Sequence, residues 1–208
     1  MSIKDYTELQ AAILDFINRG DMVATAPSFI ALAESRISRE LRHWRMIKRS
    51  VADLESQYNA LPADFIQPVR LQITDDQTSL VSPISAPSIL HLHAASGEAP
   101  GRPTHYALTA GGLELFPVPD TAYDTTLVYY ARTPALSDAN PTNWLLTEAP
   151  DVYLYGALVH TAPYLMHDAR TQIWNGLYLD SLAKLNSSSD EAEFGGSGLI
   201  MVNKRGAP

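Results

Sequence analysis

Cysteine is missing from all 208 positions. That absence excludes disulfides and thiolate metal sites, and it makes a reducing cytoplasm the simplest place of synthesis. Charge is sparse, at 18% of residues, and unbalanced, with 23 acids against 15 bases, a net charge of −8 and a pI near 5.1. An acidic chain is not drawn to nucleic acid by its bulk charge. Long apolar runs are also missing. The uncharged stretch 77–97 approaches membrane length, but Pro83, Pro87, His91, His93 and five serines interrupt it, so no membrane span is expected. The opening MSIKDYTELQ carries Lys4, Asp5 and Glu8 where a signal peptide needs apolar residues, so secretion is not expected either.

Catalytic words are equally scarce. GGSG at 195–198 fails as a nucleophile elbow because Leu199 stands where the second glycine belongs, and it reads as a hinge. GxGxxG from Gly196 meets Met201, and GxxxxGK[ST] does not occur. His91 and His93 could share one side of a strand, but no third ligand of suitable type is nearby. His160 and His167, near Asp168, are expected to be buried and hydrogen-bonded rather than catalytic. Asn186-Ser-Ser is a glycosylation pattern only in secreted chains. No catalytic residue, metal site or cofactor is expected.

At 46% hydrophobic, the chain has enough apolar material for a core and a modest second lobe. Tyr6, Leu9, Ile13, Phe16 and Ile17 recur at helical spacing behind Asp5 and Glu8, predicting a helix from about Asp5 to Asn18 that Gly20 ends. A second helix starts near Pro27 and runs through Phe29, Ile30, Ala33, Ile37 and Leu41.

After Met46 the period shortens. DFIQPVRLQI, TSLVSP, THYALT, LELFPV and TTLVYYA alternate and are rich in Val, Ile, Tyr and Thr, so they predict strands. Gly111 and Gly112 mark a hairpin turn, and a short helix is expected near 86–95. Helical spacing returns at Thr147, with one helix through Leu165 that Pro163 bends or ends, and another from Asp168 to Asn186.

The expected fold class is α+β. Two N-terminal helices (1–46) and two C-terminal helices (141–186) form a four-helix bundle. An antiparallel β-sheet or sandwich (47–140) is inserted between them, and an extended C-terminal arm (187–208) follows. The arm leads with polar residues and glycine and ends in a short apolar tip, Leu199, Ile200, Met201 and Val202, with Lys204 and Arg205 behind it. Such a tip buries too little to order itself alone, and it suits a strand addition or a groove on another protein.

Four words carry a resemblance: LPADF at 61–65, GRPTHYAL at 101–108, LELFPVPDTAYDTTLVYYARTPALSD at 113–138, and NPTNWLLTEAPDVYLYGAL at 140–158. In order and spacing they resemble the head-to-tail adaptor (head completion or connector) proteins of short-tailed bacteriophages. The resemblance implies a non-enzymatic virion component of the neck, assembled in the host cytoplasm. Twelve copies would form a ring between the portal protein and the tail nozzle protein, with an axial channel that retains and then releases DNA without binding it specifically. Attachment of tail fibres near this level would be consistent with the family. The alternative is a head or tail completion protein of another phage tail type.

A ring would cover helix faces that a lone subunit leaves wet. The stretch 143–165 has no charge between Asp151 and the end of the stretch, so Tyr153, Tyr155 and, on the next helix, Trp174 are candidate subunit contacts. Residues 36–49 (RISRELRHWRMIKR) hold six bases against Glu40, a local surplus of five in a chain whose remainder carries −13. Arg36, Arg39, Arg42 and Arg45 could track DNA phosphates, meet the portal, or pair with acids of a neighbouring subunit. A passage through which DNA slides should not grip it, so the subunit contact is expected.

Overall fold

The computed structural model describes residues 3–75, 78–96, 99–165 and 169–194. The class is α+β, with six α-helices and seven strands among these residues. The chain divides into two compact units, one of residues 1–44 and 133–208, the other of residues 45–132.

In the helical unit, α1 (Tyr6–Ile17) is capped by Asp5, whose carboxylate accepts the Glu8 amide at 2.8 Å. Its end is set by Asn18, not Gly20. Asn18 takes the left-handed conformation at φ 52° and gives its N–H to the Asp15 carbonyl, a role asparagine tolerates. α2 (Ala26–Glu40) has Pro27 in its first turn and buries Phe29, Ile30, Ala33 and Ile37 on one stripe.

The helix expected to continue to Leu165 is broken into three pieces. α4 (Trp144–Glu148) starts on Asn143, whose side chain accepts the Leu146 amide at 2.8 Å. Ala149 leaves helical geometry because Pro150 follows it, and α5 (Pro150–His160) begins at that proline. A 3-10 turn, Ala162–Tyr164, takes in Pro163. The last helix, α6 (Arg170–Phe194), passes the expected end at Asn186 by two turns, so 187–194 is helix, not arm.

After Asp151 in its first turn α5 carries no formal charge, and it is hidden by its own chain. It packs against α1, α2, α4 and α6, and Val152, Tyr153, Leu154, Gly156, Ala157 and Leu158 are all buried. Gly156 lets three helices meet. A Cβ there would lie 3.2 Å from the Tyr178 ring of α6 and 3.3 Å from Ala33 Cβ of α2.

In the β unit the sheet order is β1-β7-β3-β4-β5-β6-β2. The strands are β1 (Ile47–Leu54), β2 (Tyr58–Ala60), β3 (Phe65–Ile73), β4 (Ser79–Pro83), β5 (His105–Thr109), β6 (Gly112–Phe116) and β7 (Tyr123–Ala131). The sheet is mixed rather than antiparallel. β4 and β5 run parallel because α3 (Ala86–Ser96) carries the chain back between them, and parallel neighbours require such a crossover.

The β5–β6 hairpin turns on Ala110 (φ 43°) and Gly111 (φ 80°), one residue earlier than expected. Gly112 instead opens β6 and passes close to β2, where a Cβ would sit 3.1 Å from the Asn59 carbonyl oxygen. Leu54, Leu71, Ile73, Val81, Tyr106, Leu113 and Leu115 make the core of this unit.

Candidate functional site

The basic segment does not form one helix face. Arg36, Arg39 and Glu40 lie on α2, Arg42 lies just beyond its end, Arg45 is in the 3-10 turn Trp44–Met46, and Lys48 and Arg49 begin β1. Arg36 is turned inward. Its guanidinium lies 4.2 Å over the Tyr178 ring, bonds Glu40 at 3.1 Å and reaches Asn175 of α6 at 3.1 Å. Tyr178 in turn donates to Glu40 at 2.8 Å, and burial together with that carboxylate holds its phenol above the ordinary value.

Arg42 folds back on the helix end, donating to the Ser38 carbonyl at 3.0 Å and the Leu41 carbonyl at 2.6 Å, where a cation suits the exposed carbonyls. Its own amide is taken by Asn186 at 3.2 Å, and Ser189 takes the Trp44 amide at 2.8 Å. The last turns of α6 are thus fastened to the chain leaving α2. Arg39 is exposed and, among the described residues, bonds only Ser35 on its own helix at 3.2 Å, so it remains available to a partner. Arg45 is exposed and already engaged in a polar or ring contact within the chain.

Tyr153 and Trp174 are covered within the chain, at 1% and 5% exposure, while Tyr155 is half-buried. Tyr153 takes the amide of Asn143 at 2.8 Å and donates weakly to Glu34 at 3.4 Å. Glu34 also accepts the Leu136 amide at 2.7 Å, and burial raises its carboxyl above the usual range despite these donors. This network joins α2, α5 and the segment entering the unit from 133. No sequence pattern marks Glu34, because a single acid on a helix looks solvated until its partners are known.

Uncovered apolar surface lies elsewhere. α6 buries Trp174, Tyr178 and Leu182 along one stripe but leaves Ile173, Leu177 and Leu179 exposed at 62%, 40% and 46%. In the same unit, Leu32 (50%) and Tyr164 (51%) flank a groove of about 500 Å³ between α2 and the turn after α5. His160 lines this groove. Its Nε2 is buried without a hydrogen-bond partner among the described residues, contrary to expectation, and burial with Arg36 and Arg39 keeps its pKa low.

His91 and His93 sit on α3, not a strand. His93 is buried beside Glu114, 3.7 Å away, in a cluster with Gln57 and Tyr58 that ties α3 and β2 to β6. Among the described residues no group of three or more potential metal ligands comes together, and no helix is long and apolar enough to cross a membrane. The arm residues Leu199, Ile200, Met201, Val202, Lys204 and Arg205, with the GGSG hinge, His167 and Asp168, lie outside the described residues.

Among curated proteins none matches the chain. The profile of the family described as SU10 adaptor protein matches residues 4–199, which takes in both units. The chain therefore belongs to the SU10 adaptor protein family, a family of phage head-to-tail adaptors.

Proposed function

We propose that the chain is a structural virion protein that assembles as a ring of about twelve copies between portal and tail nozzle, by analogy with closed heterologous assemblies. In this reading the helical unit is a four-helix bundle of α1, α2, α5 and α6 that closes the ring. The β unit serves tail-side contacts, including fibres, and DNA passes along the axis without specific binding. The observation that carries the assembly is the exposed apolar flank of α6 made by Ile173 and Leu177, an i,i+4 pair left uncovered beside a stripe that is fully packed.

Arg39 at the edge of α2 supplies a cation for an acid of the neighbour. Leu199 to Val202, followed by Lys204 and Arg205, fasten each copy to the portal or to the adjacent subunit. Twelve such weak contacts act together through effective concentration.

The test mixes the chain with its cognate portal and images the product by electron microscopy. Wild type yields rings on portals. Ile173→Glu with Leu177→Glu abolishes them while leaving circular dichroism of the subunit unchanged, and truncation after Phe194 weakens portal binding. Rings of undiminished yield from both variants would refute the assignment.

A further inference from the structure

Strand β1 is an open edge eight residues long. It pairs with β7 along its whole length in unbroken register, and among the described residues no strand lies on its other side. The opposite edge, β2, is only three residues long. Natural edges are often blunted by proline, a bulge or brevity, and β1 has none of these. Its charges, Lys48, Arg49 and Asp53, are of both signs, so they do not simply repel a second copy of the same edge. Among the described residues, no backbone amide or carbonyl of 47–54 bonds to backbone outside its own sheet.

Arg49, Val51 and Asp53 share one face of β1, and all three are exposed, Val51 at 61%. Asp53 stands directly opposite Asp124 of β7, two like charges across a strand pair. Among the described residues neither carboxylate has a cationic partner. A pair of acids left in this way lacks a nearby positive charge.

We infer that β1 pairs antiparallel with β1 of a second copy about a two-fold axis at Val51. A two-fold must map hydrogen-bonded pairs onto hydrogen-bonded pairs, so opposed residues must be of like parity. Centred on Val51, this register sets Val51 against Val51 and Arg49 against Asp53 twice. Each arginine then meets the uncompensated acids of the other copy. Centring on Ser50 would instead set Arg49 against Val51 and leave Asp53 against Ile47, so charge selects the first register. Lys48 is already engaged by Asp64 at 2.6 Å, which leaves Arg49 as the cation for this contact. Among the described residues the Arg49 side chain makes only a long contact, 3.4 Å, to Thr126. The pairing belongs to the free chain, because a two-fold contact cannot repeat between neighbours of a single cyclic ring.

Sedimentation velocity of the full chain over a concentration series tests the pairing. Wild type shows a monomer–dimer equilibrium that weakens with added salt. Arg49→Asp and Asp53→Arg each weaken dimerisation at least tenfold, Val51→Lys does the same, and the Arg49→Asp/Asp53→Arg double variant restores it to within about threefold. A chain that stays monomeric, a double variant that fails to recover while its thermal melt matches wild type, or larger oligomers indifferent to these reversals would overturn the inference. Truncation after Phe194 leaves the dimer intact; its loss would assign the edge to the C-terminal segment instead.

Discussion

Glu34 of α2 accepts the backbone N–H of Leu136 at 2.7 Å, tying the first helical pair to the segment that returns from the β unit. Replacing Glu34 with alanine should cost about 1–3 kcal/mol, because the Leu136 amide loses its acceptor in a largely buried place. Urea titration of the two proteins measures this.

The same carboxyl gives a pH dependence of defined sign. Burial raises its folded pKa, so between the unfolded and folded values the native state binds the extra proton. Its contribution is fully present below the unfolded value and is lost as pH rises through the folded one. Wild type should therefore lose stability relative to Glu34→Gln from pH 4 towards pH 7, and denaturation of both across that range checks it.

At Gly156, alanine should destabilise the helical unit by about 1–3 kcal/mol through overpacking against Tyr178 and Ala33, less about 1 kcal/mol regained from helix propensity. Valine should cost more, since its extra methyls enter the same space. Thermal melts of the two variants should fall in that order.

Asn143 performs three tasks, capping α4, bonding the Pro134 carbonyl at 2.9 Å and bonding Tyr153 at 2.8 Å. Asn143→Ala should cost about 1–2 kcal/mol by the loss of the cap alone. Asn143→Asp should keep the cap yet lose both amide donors, and so fall between wild type and alanine in a chemical melt.

Ala110 holds φ at 43°, where a Cβ is unfavourable. Ala110→Gly should leave the hairpin intact and relieve that conformation, and Ala110→Asn should raise stability by up to about 1 kcal/mol. Hydrogen exchange of the β5–β6 amides reads the effect locally.

Much of the fold is legible where local chemistry decides it. Asp5, Pro27 and the apolar stripes place α1 and α2 within a residue or two, and the strand alternation finds the β unit. Local signals mislead where tertiary contacts decide. The polar run after Asn186 looks like a flexible lead, yet Ser189 is buried against the Trp44 amide and α6 continues to Phe194. The charge run 36–49 reads as one basic segment because sequence cannot show that the unit boundary falls between Trp44 and Arg45.

The lack of charge along α5 after Asp151 admits two explanations, cover by neighbouring copies or by the same chain. Composition does not separate them; Gly156, Ala33 and Tyr178 do, because their close approach occurs within a single copy. The exposed residues of α6 escape a reading of the sequence for a related reason. Ile173 and Leu177 share the apolar character of Trp174, and only packing distinguishes which of them turns inward.

The helical unit is assembled from the two ends of the chain, with residues 45–132 lying between them. On the ribosome, α1 and α2 emerge without α5, their central packing partner, which follows only after a delay on the order of ten seconds at ~5–20 residues per second. The intervening β unit is contiguous and can complete its core in that interval. Nascent chains stalled once residue 132 has cleared the exit tunnel, but α5 has not, should accordingly hold a protease-resistant β unit beside digestible N-terminal helices, so the last part to be translated completes the first.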